Sequence, residues 1–254
     1  MMSCTGDGVQ MRQQLEELEQ QNSSGEKLLN DSLAESLVMY FDRHGDATEQ
    51  MRAKYILGCT YSNLKELPRA LMVYYEAADC ADTTQVDCDY KLLSLIHGQC
   101  AMIYHTQVQP RSELSELRLA EFYAWKDKDT LQAIKRYSQQ SGAYDFLKMP
   151  DSVIYVKEQA ARMFREIGKT DRAARTLGGS LITSLLKKGD VSKAIAYSRI
   201  YEEESGLFDG NKNISKGFEI YYYIKGEYNI NDDDINEKEF IDENILDNNF
   251  TGLT

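Results

Sequence analysis

The segment Gly168-Lys169-Thr170 has the residue types that end a phosphate-binding loop. In such a loop a glycine stands five residues before the Gly-Lys pair, because the backbone has to approach the phosphates closely. Met163 occupies that position in this chain. A strand should also lead into the loop, whereas the residues before Gly168 have helical spacing. We therefore expect no nucleotide site in this segment.

Acidic side chains near the C-terminus match several ligand positions of a calcium-binding loop. That loop needs oxygen ligands at fixed positions and a glycine at its sixth position, where the backbone turns sharply. Glu237 stands at the sixth position, and the pattern of a second helix does not follow. We expect a solvated acidic segment here in preference to a calcium site. The matching residues are Asp232, Asp234, Asn236 and Glu243.

The 5 cysteines and 3 histidines form no metal-binding or catalytic pattern. No two cysteines have C-x-x-C spacing, and no pair has zinc-finger spacing to a histidine. His97 and His105 lie two helical turns apart, too far to share a metal directly, so we expect both on a helix surface. The sequence predicts no catalytic residue, no metal, no cofactor and no enzymatic activity. Four cysteines are expected as small buried hydrophobic residues, with a disulfide left open for an oxidising compartment: Cys59, Cys80, Cys88 and Cys100.

The charge of the chain excludes whole classes of partner. There are 29 Lys and Arg residues against 41 Asp and Glu, a formal net charge of -12. Such a surface repels phosphate groups, and no basic patch is set apart in the sequence, so nucleic acid is excluded and anionic lipid is disfavoured. No apolar run approaches the roughly 18 residues of a membrane helix. A protein or peptide partner remains.

Apolar residues recur at helical spacing along nearly the whole chain, and no run has the period of two that marks a strand. Only 3 prolines are present, which permits long helices. We therefore predict an all-α fold. The predicted helices cover residues 9–21, 32–44, 48–64, 67–81, 86–106, 112–126, 130–148, 151–167, 170–188, 191–204 and 214–228.

Two of these helices carry a repeat motif. Leu57-Gly58-x-x-Tyr61 is followed by Ala70-x-x-x-Tyr74-x-x-Ala77. Gly58 and Ala70 are small where two helices would cross closely, and the tyrosines would fill the space beside the crossing. This motif resembles the tetratricopeptide repeat, or TPR. The resemblance implies a right-handed superhelical solenoid of antiparallel helix hairpins.

Weaker copies of the motif place Gly58, Ala101, Ser141 and Ile182 at equivalent positions, with a step of about 41 residues. This step is longer than the usual TPR period of about 34 residues, so each helix is about one turn longer than the consensus. We predict a tether or signal remnant at residues 1–8, a TPR-like solenoid at residues 9–228, and an acidic low-complexity tail, predicted to be disordered, at residues 229–254.

The resemblance implies a function as a non-catalytic scaffold that binds protein or peptide in a concave groove. Cys59 stands where TPR domains that clamp a C-terminal carboxylate carry asparagine, so we do not expect that mode of binding. The first helix of each hairpin would supply the groove. Its candidate residues are Arg52, Tyr55, Cys59, Ser62, Asn63, Met102, His105, Lys135 and Asp145.

The N-terminal segment Met1-Met2-Ser3-Cys4-Thr5-Gly6 resembles the end of a bacterial lipoprotein signal, in which the cysteine becomes lipidated. The long-helix repeats of this chain also resemble those of bacterial TPR lipoproteins and of the sensory regions of membrane-tethered transcription regulators. We expect an anchor at Cys4 facing the periplasm if the N-terminus is truncated, and a cytoplasmic chain otherwise. The alternative function is a shortened sensory region without its membrane helix and DNA-binding domain.

Overall fold

The structure is a computed structural model that describes residues 4–85 and 88–207. Within these two ranges every regular element is an α-helix, and eleven helices form. The prediction of an all-α fold is confirmed. The helices are α1 (Cys4–Ser24), α2 (Asp31–His44), α3 (Ala47–Asn63), α4 (Leu67–Asp79), α5 (Tyr90–Thr106), α6 (Pro110–Lys126), α7 (Thr130–Phe146), α8 (Pro150–Glu166), α9 (Thr170–Thr176), α10 (Ser180–Lys187) and α11 (Val191–Glu204).

The chain divides into two compact units, Met1–Arg136 and Tyr137–Thr254. In the first unit, α3 pairs with α4 and α5 pairs with α6, while α2 packs on α3 and α4 packs on α5. In the described part of the second unit, α8 and α11 both pack against α9 and α10. Neighbouring helices joined by short turns run antiparallel, so the units are built from helical hairpins.

The starts of the helices follow the chemistry of helix caps. The Asp46 carboxylate accepts the backbone N–H of Glu49 at 2.8 Å, and the Glu49 carboxylate accepts the backbone N–H of Asp46 at 3.1 Å. This capping box satisfies two N–H groups that the first turn of α3 leaves open. Helices α4, α6 and α8 instead begin with Pro68, Pro110 and Pro150 in the first turn, where the missing N–H costs nothing.

Six connections between helices use the same short turn. In the turn after α5, the backbone N–H of Val108 donates to the carbonyl of His105 at 3.0 Å, and that of Gln109 donates to the carbonyl of Tyr104 at 2.9 Å. These hydrogen bonds satisfy backbone carbonyl groups at the end of the helix. They require one residue in the turn to adopt a left-handed backbone conformation, with positive φ. From Val108 onward this residue recurs about every 20 residues, half the predicted step. The left-handed residues are Lys65, Val108, Lys128, Lys148, Gly168 and Gly189.

The predicted helix over residues 170–188 was wrong, because the structure divides it into α9 and α10. Gly178 and Gly179 separate the two helices. Gly179 has φ +60° and ψ -123°, a conformation that favours glycine strongly. The ring of Tyr201 packs over Gly178, where an added Cβ would lie 2.5 Å from a ring carbon. Two consecutive glycines lower the helix propensity of this segment, so the helix ends here. The Tyr201 ring packs against the backbone at this break.

Several predicted boundaries fall beyond the described residues or shift within them. The predicted helix at residues 214–228 and the tail at 229–254 lie outside the described ranges. Helix α5 begins at Tyr90, capped by Asp89, and not at residue 86. Helix α1 begins at Cys4 and so includes part of the segment assigned to a tether. Lipidation of Cys4 stays a prediction.

The crossing of α3 and α4 is the tightest contact of the repeat motif. The ring of Tyr74 is fully buried and lies directly over Gly58. A Cβ on Gly58 would lie 2.5 Å and 2.6 Å from two ring carbons of Tyr74. Such distances are well inside van der Waals contact, so only glycine lets the two helices approach this closely. Ala70 is also completely buried on α4, as its small size predicts.

We predict that Gly58→Leu destabilises the chain. The added side chain overlaps the Tyr74 ring, and overpacking of this kind lowers the free energy of unfolding by about 1–3 kcal/mol. Met72→Leu, on the exposed side of α4, is the control and should change it by less than about 0.5 kcal/mol. Chemical unfolding followed by circular dichroism measures both. Parent-like unfolding of Gly58→Leu would show that the helices do not cross at this residue.

We predict that Val108→Gly stabilises the chain. Val108 has φ +54° and is 61% exposed, so its substitution removes left-handed strain and loses little packing. The expected gain in the free energy of unfolding is about 1 kcal/mol. Gln107→Gly in the same turn is the control, because Gln107 has φ -85° and no strain to relieve. It should be neutral or destabilising. Equal effects of the two substitutions would contradict this account of the turn.

Candidate functional site

Helix α1 lies along one side of α3 and runs parallel to it. The Arg12 guanidinium pairs with the Glu49 carboxylate at 2.6 Å, and Glu19 pairs with Arg52 through two hydrogen bonds of 2.7 Å and 2.5 Å. The hydrogen bond to Glu19 raises the pKa of Arg52, and the hydrogen bond from Arg12 lowers the pKa of Glu49. We call the side of α3 that carries Glu49, Arg52, Tyr55 and Cys59 its inner face.

Two candidate groove residues on the inner face are buried. Tyr55 is 7% exposed, and its hydroxyl lies near the side chains of Asn22 on α1 and Gln99 on α5. The Cys59 thiol, 4% exposed, lies beside the same Asn22 side chain and accepts a hydrogen bond from the Tyr74 hydroxyl at 3.4 Å. Burial raises the pKa of both Tyr55 and Cys59. The inner face is therefore covered by α1 along this stretch.

The cover that α1 provides rests on few apolar contacts. Leu15 and Leu18 are its buried leucines, and each contributes about 1.5–3 kcal/mol on burial. The Glu19–Arg52 pair is about one-third exposed on both sides, so solvent screens it and its contribution is about 0–1 kcal/mol. Helix α1 contacts α3 more extensively than α2. Helix α1 is therefore held mainly against α3.

The remaining candidate groove residues lie in different surroundings. Ser62 and Asn63 are half-buried near the end of α3, and Lys135 is exposed on α7. Met102 on α5 is 58% exposed. His105 has a half-exposed side chain, and its Nδ1 lies 3.0 Å from Glu113. Asp145 belongs to the second unit, where its carboxylate lies 4.0 Å from the Lys187 ammonium.

A buried polar network joins α4, α5 and α6, and the sequence reasoning missed it. One oxygen of Glu116 lies 2.7 Å from His97 Nδ1, and the other accepts the Tyr75 hydroxyl at 2.9 Å. The Tyr75 hydroxyl also lies 3.0 Å from that of Tyr104. The ring of His97 stacks on Tyr123 with centroids 5.4 Å apart. The expectation that His97 lies on a helix surface was wrong, because it is 7% exposed.

The described cysteines differ in environment. Cys59 and Cys100 are buried as expected, whereas Cys80 and Cys88 are half-buried and border a cavity of about 300 Å³ between the start of α3 and the loop after α4. The Cys80 sulfur accepts a hydrogen bond from the Lys54 ammonium at 3.5 Å. Cys59, Cys80 and Cys100 carry free thiols. In the described ranges, no three His, Cys, Asp or Glu side chains converge to hold a metal ion.

No helix in the described part of the chain is both long enough and apolar enough to cross a membrane.

Comparison with known proteins supports the fold. No protein-family model matches the chain, and no curated protein sequence matches it. The chain is similar in structure to the nearly identical TPR-like repeats of a chain described as a kinesin light chain from Podosopora anserina. The TM-score is 0.61 at 11% sequence identity, and the match covers 80% of this chain and 98% of that one. The chain therefore has a TPR-like repeat fold.

Glu113 on α6 yields a pH-dependent prediction. It is 4% exposed, and its Oε2 has no hydrogen-bond partner among the described residues. Burial raises the pKa of Glu113, although the hydrogen bond to His105 opposes this. Between the ordinary and the raised pKa, the folded chain holds a proton that the unfolded chain releases, so this group makes stability fall as pH rises through that window.

We therefore predict that Glu113→Gln raises the free energy of unfolding at pH 7 by about 1 kcal/mol. The gain should shrink as pH falls below the raised pKa, since the parent carboxyl is then protonated. Glu76→Gln, at an exposed position on α4, is the control and should give no such trend. Chemical unfolding at a series of pH values measures this. A gain that is the same at every pH would contradict the assignment.

Proposed function

We propose that this chain is a non-catalytic TPR-like scaffold that binds a protein or peptide partner on the first unit. The partner would contact the inner face of α3 together with the adjoining side of α5. The fold supports this proposal, because TPR-like repeats present the first helices of their hairpins as an extended binding surface.

The observation that carries the proposal is the junction of α3 and α5. The Tyr55 hydroxyl lies near the Gln99 side chain, so the two helices border one surface at this point. Met102 stands one turn beyond Gln99 on the same side of α5 and is 58% exposed. An aromatic ring, an amide and an exposed methionine are typical of the centre of protein interfaces, where methionine adapts to the shape of a partner.

The charges on this surface also favour a peptide over a small ionic ligand. The Arg52 guanidinium is paired with the Glu19 carboxylate, and the His105 ring lies against the Glu113 carboxyl group, so both side chains already have acidic partners. A small ligand with one strong charge would find no cluster of opposite charges on this surface. An extended or helical peptide with mixed apolar and polar side chains fits the surface better.

The proposal can be tested by selecting helical peptides from a displayed library on the purified full chain. The selected peptides should bind Met102→Glu at least about tenfold more weakly than the parent, because a buried charge in an interface core is costly. Met72→Glu is the matched control, since Met72 is 55% exposed on α4 and away from this surface. Failure to select any peptide, or equal weakening by the two variants, would contradict the proposed surface.

A further inference from the structure

The contacts of α1 with α3 have the features of a bound partner helix. The residues that face α3 recur at helical spacing, so they form one stripe on α1. Two leucines three residues apart fill the apolar part of the stripe, a glutamate follows the second leucine directly, and an amide stands one turn later. The stripe consists of Arg12, Leu15, Leu18, Glu19 and Asn22.

Two side chains of this stripe, those of Glu19 and Asn22, meet candidate binding residues of the inner face. Glu19 accepts hydrogen bonds from Nε and one Nη of Arg52, and the Asn22 side chain lies near the Tyr55 hydroxyl and the Cys59 thiol. Tyr55 is bordered by α1 on one side and by Gln99 of α5 on the other. Helix α1 therefore extends over the same surface to which the proposed function assigns the partner.

The rest of α1 is suited to leaving this surface. Its opposite side is polar and exposed, with Gln10, Gln13, Glu17 and Gln20, so no second apolar side needs cover. The connection to α2 begins with the exposed residues 25–27, in which Gly25 has φ +85°. Leu28, directly after them, is 3% exposed and anchors the chain in the core. Rotation within the connection would release α1 and keep Leu28 in place.

We propose that α1 is a displaceable cover of the inner face, and that the partner is an amphipathic helix of the same chemistry, with two leucines three residues apart and a carboxylate directly after the second. This inference rests on the proposed function and specifies its partner. When the partner helix displaces α1, its carboxylate replaces that of Glu19 at Arg52. Cys59 is exposed while α1 is away from the inner face.

The first test measures how fast a maleimide labels each cysteine of the full chain, by mass spectrometry of proteolytic peptides. Glu19→Arg places two positive charges together, which should loosen α1. The maleimide should then label Cys59 at least about tenfold faster in this variant than in the parent. Glu17→Arg makes the same charge change on the exposed side of α1, so Cys59 in this variant should be labelled at the parent rate. The double variant Glu19→Arg/Arg52→Glu should restore slow labelling, since the pair re-forms with its charges exchanged.

Cys100 distinguishes release of α1 from unfolding, because it is completely buried in the core. It should stay protected in every variant. If Cys59 labels no faster in Glu19→Arg than in Glu17→Arg, or only together with Cys100, the inference is overturned.

The second test adds a synthetic peptide with the sequence of residues 9–24. It should bind the Glu19→Arg chain at least about tenfold more tightly than the parent chain and should slow the labelling of Cys59 again. A peptide with the Glu19→Arg change should do neither. Equal binding of the first peptide to both chains would overturn the inference. The proposed function would still stand if library peptides remain sensitive to Met102→Glu, so the two failures are distinguishable.

Discussion

The packing of the Tyr74 ring on Gly58 is the contact on which the rest of the first unit depends. Because Gly58 has no side chain, α3 and α4 approach closely enough to bury the ring completely. The Tyr74 hydroxyl then reaches the Cys59 sulfur, and its ring lies 6.0 Å from that of Tyr55. The same tyrosine thus closes the hairpin core and supports the inner face from beneath. A rigid core beneath the surface limits the reorganisation on partner binding to the displacement of α1.

Two kinds of interaction hold the first unit together, and they differ in strength. Between α4, α5 and α6, apolar packing is joined by the buried network of His97, Glu116 and Tyr75, in which a lost partner leaves a costly unsatisfied group. Between α1 and α3, half-exposed ion pairs flank two buried leucines. Regions with few buried apolar contacts open at lower free energy than the core. In the first unit, an interface with few buried apolar side chains therefore lies over the candidate binding surface.

Much of the fold could be predicted from the sequence, because helical periodicity, Pro68 in a first turn and the small residue Gly58 are local signals. The break at Gly178 was missed, since it depends on the packing of Tyr201 from another helix. His97 was misplaced for a similar reason: its partner, Glu116, lies on the following helix. The cover of Arg52 by Glu19 was also beyond the sequence, because spacing within one helix does not reveal which other helix lies across it.

In the proposed arrangement, α1 is a separable cover on a stable hairpin core. Native-state hydrogen exchange of the unmodified chain, resolved by residue, tests it most directly. We predict that amides of α1 around Leu15 and Leu18 exchange through a local opening of low free energy. Interior amides of α3, α4, α5 and α6 should exchange only with unfolding of the unit. Exchange of the α1 amides at the same free energy as those of α3 and α4 would contradict this arrangement and make α1 part of the core.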